Sequence, residues 1–555
     1  MKQFVITCSL LFLSLLVFAQ DRQIKGRVTD DAGAPIAGAS VQVQGEKNGT
    51  VTDKNGDFTL SVPGTGNVTL LITSINHKAF TVTTDGSTPV SAKLEKENVV
   101  LDEVVVTGYQ TIKRKDLTAS VSSISAKDLK DNTMASAAEA LNGRLAGVTA
   151  TTSEGSPDAA IRVRVRGGIS ITQNNDPLYI VDGVQVENAL NVIAPGDIQS
   201  IDVLKDAAAT AIYGARGANG VFVITTKIGK PGRTIVTYDG FIGVRELASK
   251  LKVMSPYDYV VYQWERTRPN STDSTNFAKS FGSTWDTLNV YKNTPPIDWQ
   301  EEIMGNTGMT TKQNIGVSGG SKKITYNFGY TYNNEKPIVV NSNFNRHIVN
   351  ARGEYKITNK IKVGAGARYT YQDAVGAGLS SETNTSYARL RNAVKYRPFF
   401  ADTLAIDDPD PLVVNPGNGV TLVNPIALAN AEYRRKITSA YNLNANISYD
   451  ITKNLNFRST IGYDKNDFTD QQFFDSITSF SVNQGGGKPI TRVDTLYRKV
   501  INNSNVLTYS VKDYKGKHDF DILLGEETYE SSTDSRSGQF GSFPKFTGNA
   551  KDSGI

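Results

Sequence analysis

The sequence predicts a mainly β protein in three parts. A small β-sandwich comes first, an α+β domain second, and third the first part (about nine strands) of a transmembrane antiparallel β-barrel. Residues 22–97 hold short alternating runs separated by Ala-Gly, Asn-Gly, Pro-Gly and Asp-Gly turns at nearly even spacing, which marks a small sandwich. From Arg233 onward the strands lengthen and alternate with period 2. Beyond the N-terminus no window approaches the roughly 20 apolar residues of a spanning helix, so a membrane crossing falls to strands. With 60 basic against 55 acidic residues, the charge balance argues for no nucleic-acid partner.

The N-terminus reads as a targeting segment. Lys2 supplies the positive end, residues 4–18 the apolar core, and Val17 and Ala19 the small positions before a cut, giving a signal peptide over 1–19. Cys8, the only cysteine, lies inside it, so the processed chain is expected to carry no disulfide and no cysteine metal site.

Residues 20–98 form the sandwich. Asp53, Asn55 and Asp57 imitate the start of a calcium loop, but Gly64 occupies the twelfth position where a glutamate is required, so a hairpin turn at Asn55-Gly56 is expected. Residues 99–114 form a linker. Within it Asp102, Glu103, Val104, Val105, Val106, Thr107, Gly108 and Tyr109 read either as a plain linker strand or as an extended, unpaired strand. The latter would offer its backbone to the edge of a partner sheet.

The α+β domain spans 115–230. Leu178 to Gly183 is a short apolar strand ended by the turn dipeptide Asp182-Gly183. Asp197 is placed as an N-cap, and the run from Ile201 to Gly214 predicts a helix with Gly214 as its C′ residue. A further helix is expected near 134–142, and residues 221–227 return as a buried strand. Arg162, Arg164 and Arg166 alternate with valines and share one face, either solvated or, inside a barrel, turned toward acidic wall residues.

Residues 231–555 are expected as an incomplete barrel, with strands near 233–246, 310–319, 323–334, 343–357, 360–373, 438–451, 454–466, 495–512 and 516–530. Ile324, Tyr326, Phe328, Tyr330 and Tyr332 fall on one face; Tyr369 and Tyr371 fall opposite Gly364, Gly366 and Arg368. Long irregular stretches at about 248–309 and 374–437 alternate with tight turns, the asymmetry of an outer-membrane barrel. An open sheet of about nine strands cannot sit in lipid, because its edge strands would leave backbone groups unpaired. The chain therefore reads as an N-terminal fragment.

The block from Asp176 to Lys227 closely resembles the plug domain of TonB-dependent outer-membrane receptors of the SusC/RagA kind. The strand at 161–170 resembles the plug's Ile-Arg-Gly strand, and Lys205-Asp206-Ala207 stands where siderophore receptors read Arg-Gly-Pro. Residues from Ile24 to Leu60 resemble the carboxypeptidase-regulatory-like domain that precedes such plugs. The plug signature carried by the resemblance is Arg166, Gly167, Asp176, Pro177, Asp182, Gly183, Lys205, Asp206, Tyr213, Gly214, Arg216, Gly217 and Gly220. It makes residues 102–109 a TonB box. It further implies the outer membrane of a Gram-negative bacterium, TonB with its inner-membrane energising complex, a SusD-like surface lipoprotein, the lipid bilayer, and an oligosaccharide nutrient as cargo. A siderophore, haem or peptide receptor is the alternative, and a non-transporting β-rich surface protein the alternative from another class.

No enzyme is expected. His77, His347 and His518 lie far apart without metal-ligand spacing, and no nucleophile elbow, Walker loop or His-Glu-x-x-His occurs. Neither a cofactor nor a metal is implied. The pair Asp407-Asp408 reads as solvated external loop.

Overall fold

The computed structural model describes residues 22–541 apart from 32, 47, 65, 75–76, 96–103, 108–109, 114–120, 127, 129–137, 139–140, 142, 153–160, 169, 173, 270, 377–388, 401–423 and 515–517. The expected signal peptide, Asp407-Asp408 and most of the helix near 134–142 fall outside the described residues. Two compact units emerge, one through Val104 with Lys113–Lys115, the other comprising Val105–Ile112 and everything from Asp116.

The first unit packs two sheets. β1 (Arg22–Asp30) lies between β4 (Asp57–Val62) and β7 (Val90–Leu94); β3 (Gly49–Val51), β2 (Ser40–Val43), β5 (Val68–Thr73) and β6 (Phe80–Thr84) form the other. Alternation puts Ile24 and Val28 of β1, Leu60 of β4 and Leu70 and Ile72 of β5 into one core. In the Asp53–Asp57 turn, Asp53 Oδ1 accepts from the backbone N–H groups of Asn55 (2.8 Å) and Asp57 (2.9 Å), and Gly56 takes φ 77°. The turn is therefore not the hairpin that the sequence suggested, because its flanking strands β3 and β4 belong to different sheets.

β8 (Val104–Thr107) and β9 (Gln110–Lys113) form a two-stranded sheet. The segment is extended, but β9 occupies one of its edges. That corrects the expectation of an unpaired strand; the remaining four residues of the 102–109 stretch lie outside the described residues.

The α+β domain is built on a five-stranded sheet in the order β10 (Val121–Ser125), β15 (Ile198–Leu204), β16 (Val221–Thr226), β13 (Leu178–Val181), β14 (Val184–Gln185). A separate pair, β11 (Val148–Thr152) and β12 (Ile161–Val165), accompanies it. The helix expected over 201–214 is corrected. Ile198–Leu204 is a central strand buried on both faces, and only Ala207–Thr210 forms an α-turn before a 3-10 stretch. Alanine propensity loses here to pairing of the β-branched run with strands on both sides. Asp197 likewise ends a short 3-10 turn rather than capping a helix.

The wall is a nine-stranded antiparallel meander among the described residues. Its strands are β17 (Gly232–Arg245), β18 (Gly308–Gly320), β19 (Ile324–Lys336), β20 (Asn343–Lys356), β21 (Ile361–Val375), β22 (Glu432–Asp450), β23 (Leu455–Phe474), β24 (Ile490–Tyr514) and β25 (His518–Gly541). Its faces invert the order of a soluble sheet. Thr331, Asn333 and Glu335 are buried, whereas Phe328 on the opposite face of the same strand is 45% exposed and Leu443 is 48% exposed. Water would penalise such a surface; hydrocarbon would not.

The apolar face also slants. Followed rung by rung from Phe328, one row runs through Ala351, Ala367, Leu443, Tyr463 and Ile501 to Glu530. The row that ends at Leu524 passes instead through Leu507, Phe457 and Tyr449, nearer the short turns. The band thus steps toward the short-turn end from strand to strand, as tilted barrel strands require. Glu530 then lies above it.

The expected loop asymmetry is present, but neither long stretch is wholly irregular, and 374–437 holds helices Arg389–Lys395 and Pro425–Ala431. Residues 248–309 are not irregular but hold helices Pro256–Thr267, Ser271–Phe281, Trp285–Asn289 and Trp299–Met304, the first capped by the Ser255 side chain. Tyr259, Phe277, Phe281 and Leu288 pack there with Phe399 from the loop between β21 and β22. Trp299 Nε1 donates to the Arg397 carbonyl at 2.7 Å. Polar and aromatic spacing hid these helices, because part of their apolar surface packs on residues 396–400, about a hundred positions further on.

Candidate functional site: the α+β domain against the inner wall

The buried polar face of the wall meets the α+β domain, and the domain's turns supply the partners. Asp182 and Gly183 form the β13–β14 turn with φ 51° and 89°, conformations that suit the Asp-Gly dipeptide. This turn aims the Asp182 carboxylate at both bodies. Asp182 accepts from Thr226 N (3.0 Å) and Thr226 Oγ1 (2.6 Å) and forms an ion pair with Arg352 of β20 at 2.5 Å. The same Arg352 nitrogen donates to Thr226 Oγ1 and to the Thr226 carbonyl (2.9 and 3.1 Å).

Further contacts follow along the wall. Asn350 Nδ2 donates to Asp197 Oδ2 at 2.5 Å, Thr370 Oγ1 to the Val192 carbonyl at 2.8 Å, and Arg346 and Gln372 to the Asn191 carbonyl, both at 3.3 Å. Glu187 pairs with Arg498 at 2.7 Å. Arg216 pairs with Glu527 at 2.8 Å and sits over the Tyr529 ring. Burial pushes the Glu187 carboxyl up, and Arg498 pulls it back. Burial likewise raises Asp197, against the pull of Arg368, Lys227 and the Asn350 bond.

Glycines on the wall open the space. A Cβ at Gly462 would lie 2.2 Å from Val184 Cγ1, and one at Gly329 would lie 2.4 Å from Asn350 Nδ2, breaking the bond to Asp197. The domain therefore seats on backbone at these points and on amide and charged groups elsewhere. Such an interface can separate without exposing a large apolar area.

The structure divides the sequence-expected residues into three groups. Arg166 (φ 57°), beside Gly167 (φ 91°), pairs at 2.6 Å with Asp206, so its acid partner lies in its own domain rather than in the wall. Lys205 Nζ donates to Ser122 Oγ and the Ala146 carbonyl, and burial lowers its pKa, with Arg166 adding to the effect. Tyr213 is buried in the sheet's core, and Gly214 has φ 59°. At Gly217 a Cβ would meet Thr210 at 3.1 Å, and at Gly220 (φ 89°) it would meet Val165 at 2.9 Å. The backbones of Asn174 and Asp176, beside Pro177, accept from Asn219. Of the signature, Asp182 and Arg216 reach the wall through side-chain bonds. Arg352, Asn350, Glu187 and Arg498 were not singled out in the sequence, and Asp197 was read only as an N-cap. No local signal marks them, because each partner lies more than 150 residues away along the chain.

An α+β domain held against the polar face of slanted strands that are apolar outside is the arrangement of a plug against part of a β-barrel wall. Comparison with known proteins agrees. Residues 113–221 match the TonB-dependent Receptor Plug Domain, and residues 24–106 match the CarboxypepD_reg-like domain. TonB-dependent receptor SusC of Bacteroides thetaiotaomicron is 34% identical over 60% of this chain and 32% of its own length. TonB-dependent receptor P26 of Formosa agariphila is 31% identical over 92% of this chain and 49% of its own. The RagAB peptide importer in its open-open state superposes with a TM-score of 0.62 at 22% identity, covering 80% of this chain and 50% of that one, which supports the fold. The chain belongs to the TonB-dependent receptors of the SusC/RagA kind. It spans half or less of the length of these curated relatives, and those relatives are receptors, not enzymes.

Proposed function

We propose that the protein serves TonB-dependent uptake of a nutrient, an oligosaccharide, across the outer membrane, in company with a SusD-like surface lipoprotein. The observation that carries this reading is the plug–wall interface, polar and ion-paired at Asp182–Arg352, Glu187–Arg498 and Arg216–Glu527, which suits a plug that must leave its seat. In this reading residues 1–19 direct export, 20–98 form the regulatory-like domain, 99–114 the TonB-binding linker, 115–230 the plug and 231–555 barrel wall. Similarity to SusC and the absence of Arg-Gly-Pro at 205–207 favour a glycan over a siderophore. TonB engages the extended backbone at Val104–Thr107, either adding to its edge away from β9 or displacing β9.

The test is uptake of fluorescently labelled oligosaccharides and, in parallel, labelled peptides by cells expressing the full gene, with wild type compared with Val105→Pro. Oligosaccharide accumulation that the proline variant abolishes supports the reading. Peptide accumulation alone overturns the cargo, and accumulation indifferent to proline overturns the coupling.

A further inference from the structure

Between plug and wall lies a small cavity of about 20 Å³ lined from the plug by Asp182, Asp197, Thr226 and Lys227 and from the wall by Asn350, Arg352, Arg368, Asn442 and other small or amide residues. Most of its polar groups have partners: Asp182 with Arg352, Asp197 with Asn350, and Lys227 Nζ with the Gly196 carbonyl at 2.6 Å. Arg368 differs. It is 9% exposed and lines the cavity, yet its guanidinium makes no hydrogen bond and no close ion pair among the described residues; its Nε is buried without a partner. Arginine does not escape burial by losing its proton, so an enclosed guanidinium requires a compensating group.

The surrounding charges leave that group undersupplied. Lys227, Lys312, Arg352 and Arg368 act on this space as cations, against Asp182, Asp197 and Asp464 as acids.

We propose that this cavity binds a small inorganic anion, a halide, that bridges the Arg368 guanidinium of the wall and the Lys227 ammonium of the plug. The side-chain amides of Asn350 and Asn442 line the same space, each already donating to a carboxylate, Asp197 and Asp464. Such an anion is a removable link between the two bodies. It makes plug seating depend on the anion itself rather than on ionic strength. The inference stands on the plug–wall geometry and does not depend on which cargo is carried.

The probe is bromide. In crystals of the protein grown with sodium bromide, an anomalous peak is expected in this cavity within hydrogen-bonding distance of Arg368. In parallel, thermal unfolding is followed while chloride replaces gluconate at fixed ionic strength. Tm is expected to rise with chloride in the wild type and in Arg434→Gln, whose site lies outside the cavity, and to lose that dependence in Arg368→Gln. Water alone in the cavity of the bromide crystal overturns the proposal, as does an equal chloride dependence in the wild type and Arg368→Gln. The wild-type crystal decides the matter even if Arg368→Gln fails to fold.

Discussion

Replacing Arg352 by Met removes the charge that holds Asp182 to the wall and keeps the side chain's length. The two side chains are 19% and 6% exposed, so the pair is largely withdrawn from water. Breaking a buried pair by removing one partner costs about 3–5 kcal/mol. Here Asp182 keeps both bonds from Thr226, at 3.0 and 2.6 Å, which lowers the loss. About 2–3 kcal/mol is expected, which at about 1.4 kcal/mol per tenfold is roughly 30- to 150-fold in the equilibrium between seated and displaced plug. The only natural cysteine is Cys8, so Val184→Cys, buried against Gly462, gives a clean probe of displacement. Its labelling by a thiol reagent should accelerate by that factor in Arg352→Met. Adding Asp182→Asn should recover part of the loss, with a coupling of about 1–3 kcal/mol, because no buried carboxylate is then left alone. A labelling rate within twofold of the parent would refute the view that this pair seats the plug.

Further outcomes follow from the same interface. Gly462→Leu should prevent seating, since even its Cβ would press on Val184 at 2.2 Å; trypsin should then cleave a plug that resists it in the wild type. Asp197→Asn tests the buried acid. Its folded pKa lies above the ordinary value of 3.8, so the folded state holds the proton more tightly and stability falls as pH rises from 3.8 through the raised value. The stability of the wild type relative to Asp197→Asn, read from urea unfolding at several pH values, should therefore decline as pH rises through that window. Arg216→Ala, whose side chain is 37% exposed in its pair with Glu527, should cost only about 1 kcal/mol by the same unfolding measurement.

The wall was the most legible part of the chain, because period-2 alternation of aromatic and amide residues sets strand, face and register together. Tyr330 and Asn333 announce their opposite faces without any help from the rest of the fold. The plug was legible in its turns. Asp182-Gly183 needs φ values that few other pairs adopt, and the pattern shows it. The stretch from Ile198 to Ala211 misled, because its helix-forming alanines are local while the sheet that claims Ile198–Leu204 is assembled from residues 121 to 226. The polar anchors were harder still. Nothing local distinguishes Arg352 from a solvated arginine until Asp182, 170 residues earlier, is folded against it. For Val104–Thr107 the sequence showed an extended strand but not that β9 would pair with it.

The most direct test of the account is whether TonB grips this plug through Val104–Thr107. The periplasmic C-terminal domain of TonB is immobilised and presented with residues 20–230, either wild type or Val105→Pro, which removes one backbone donor from the strand. The account predicts retention of the wild type and loss of the proline variant. Equal retention of both, or retention of neither, would contradict it.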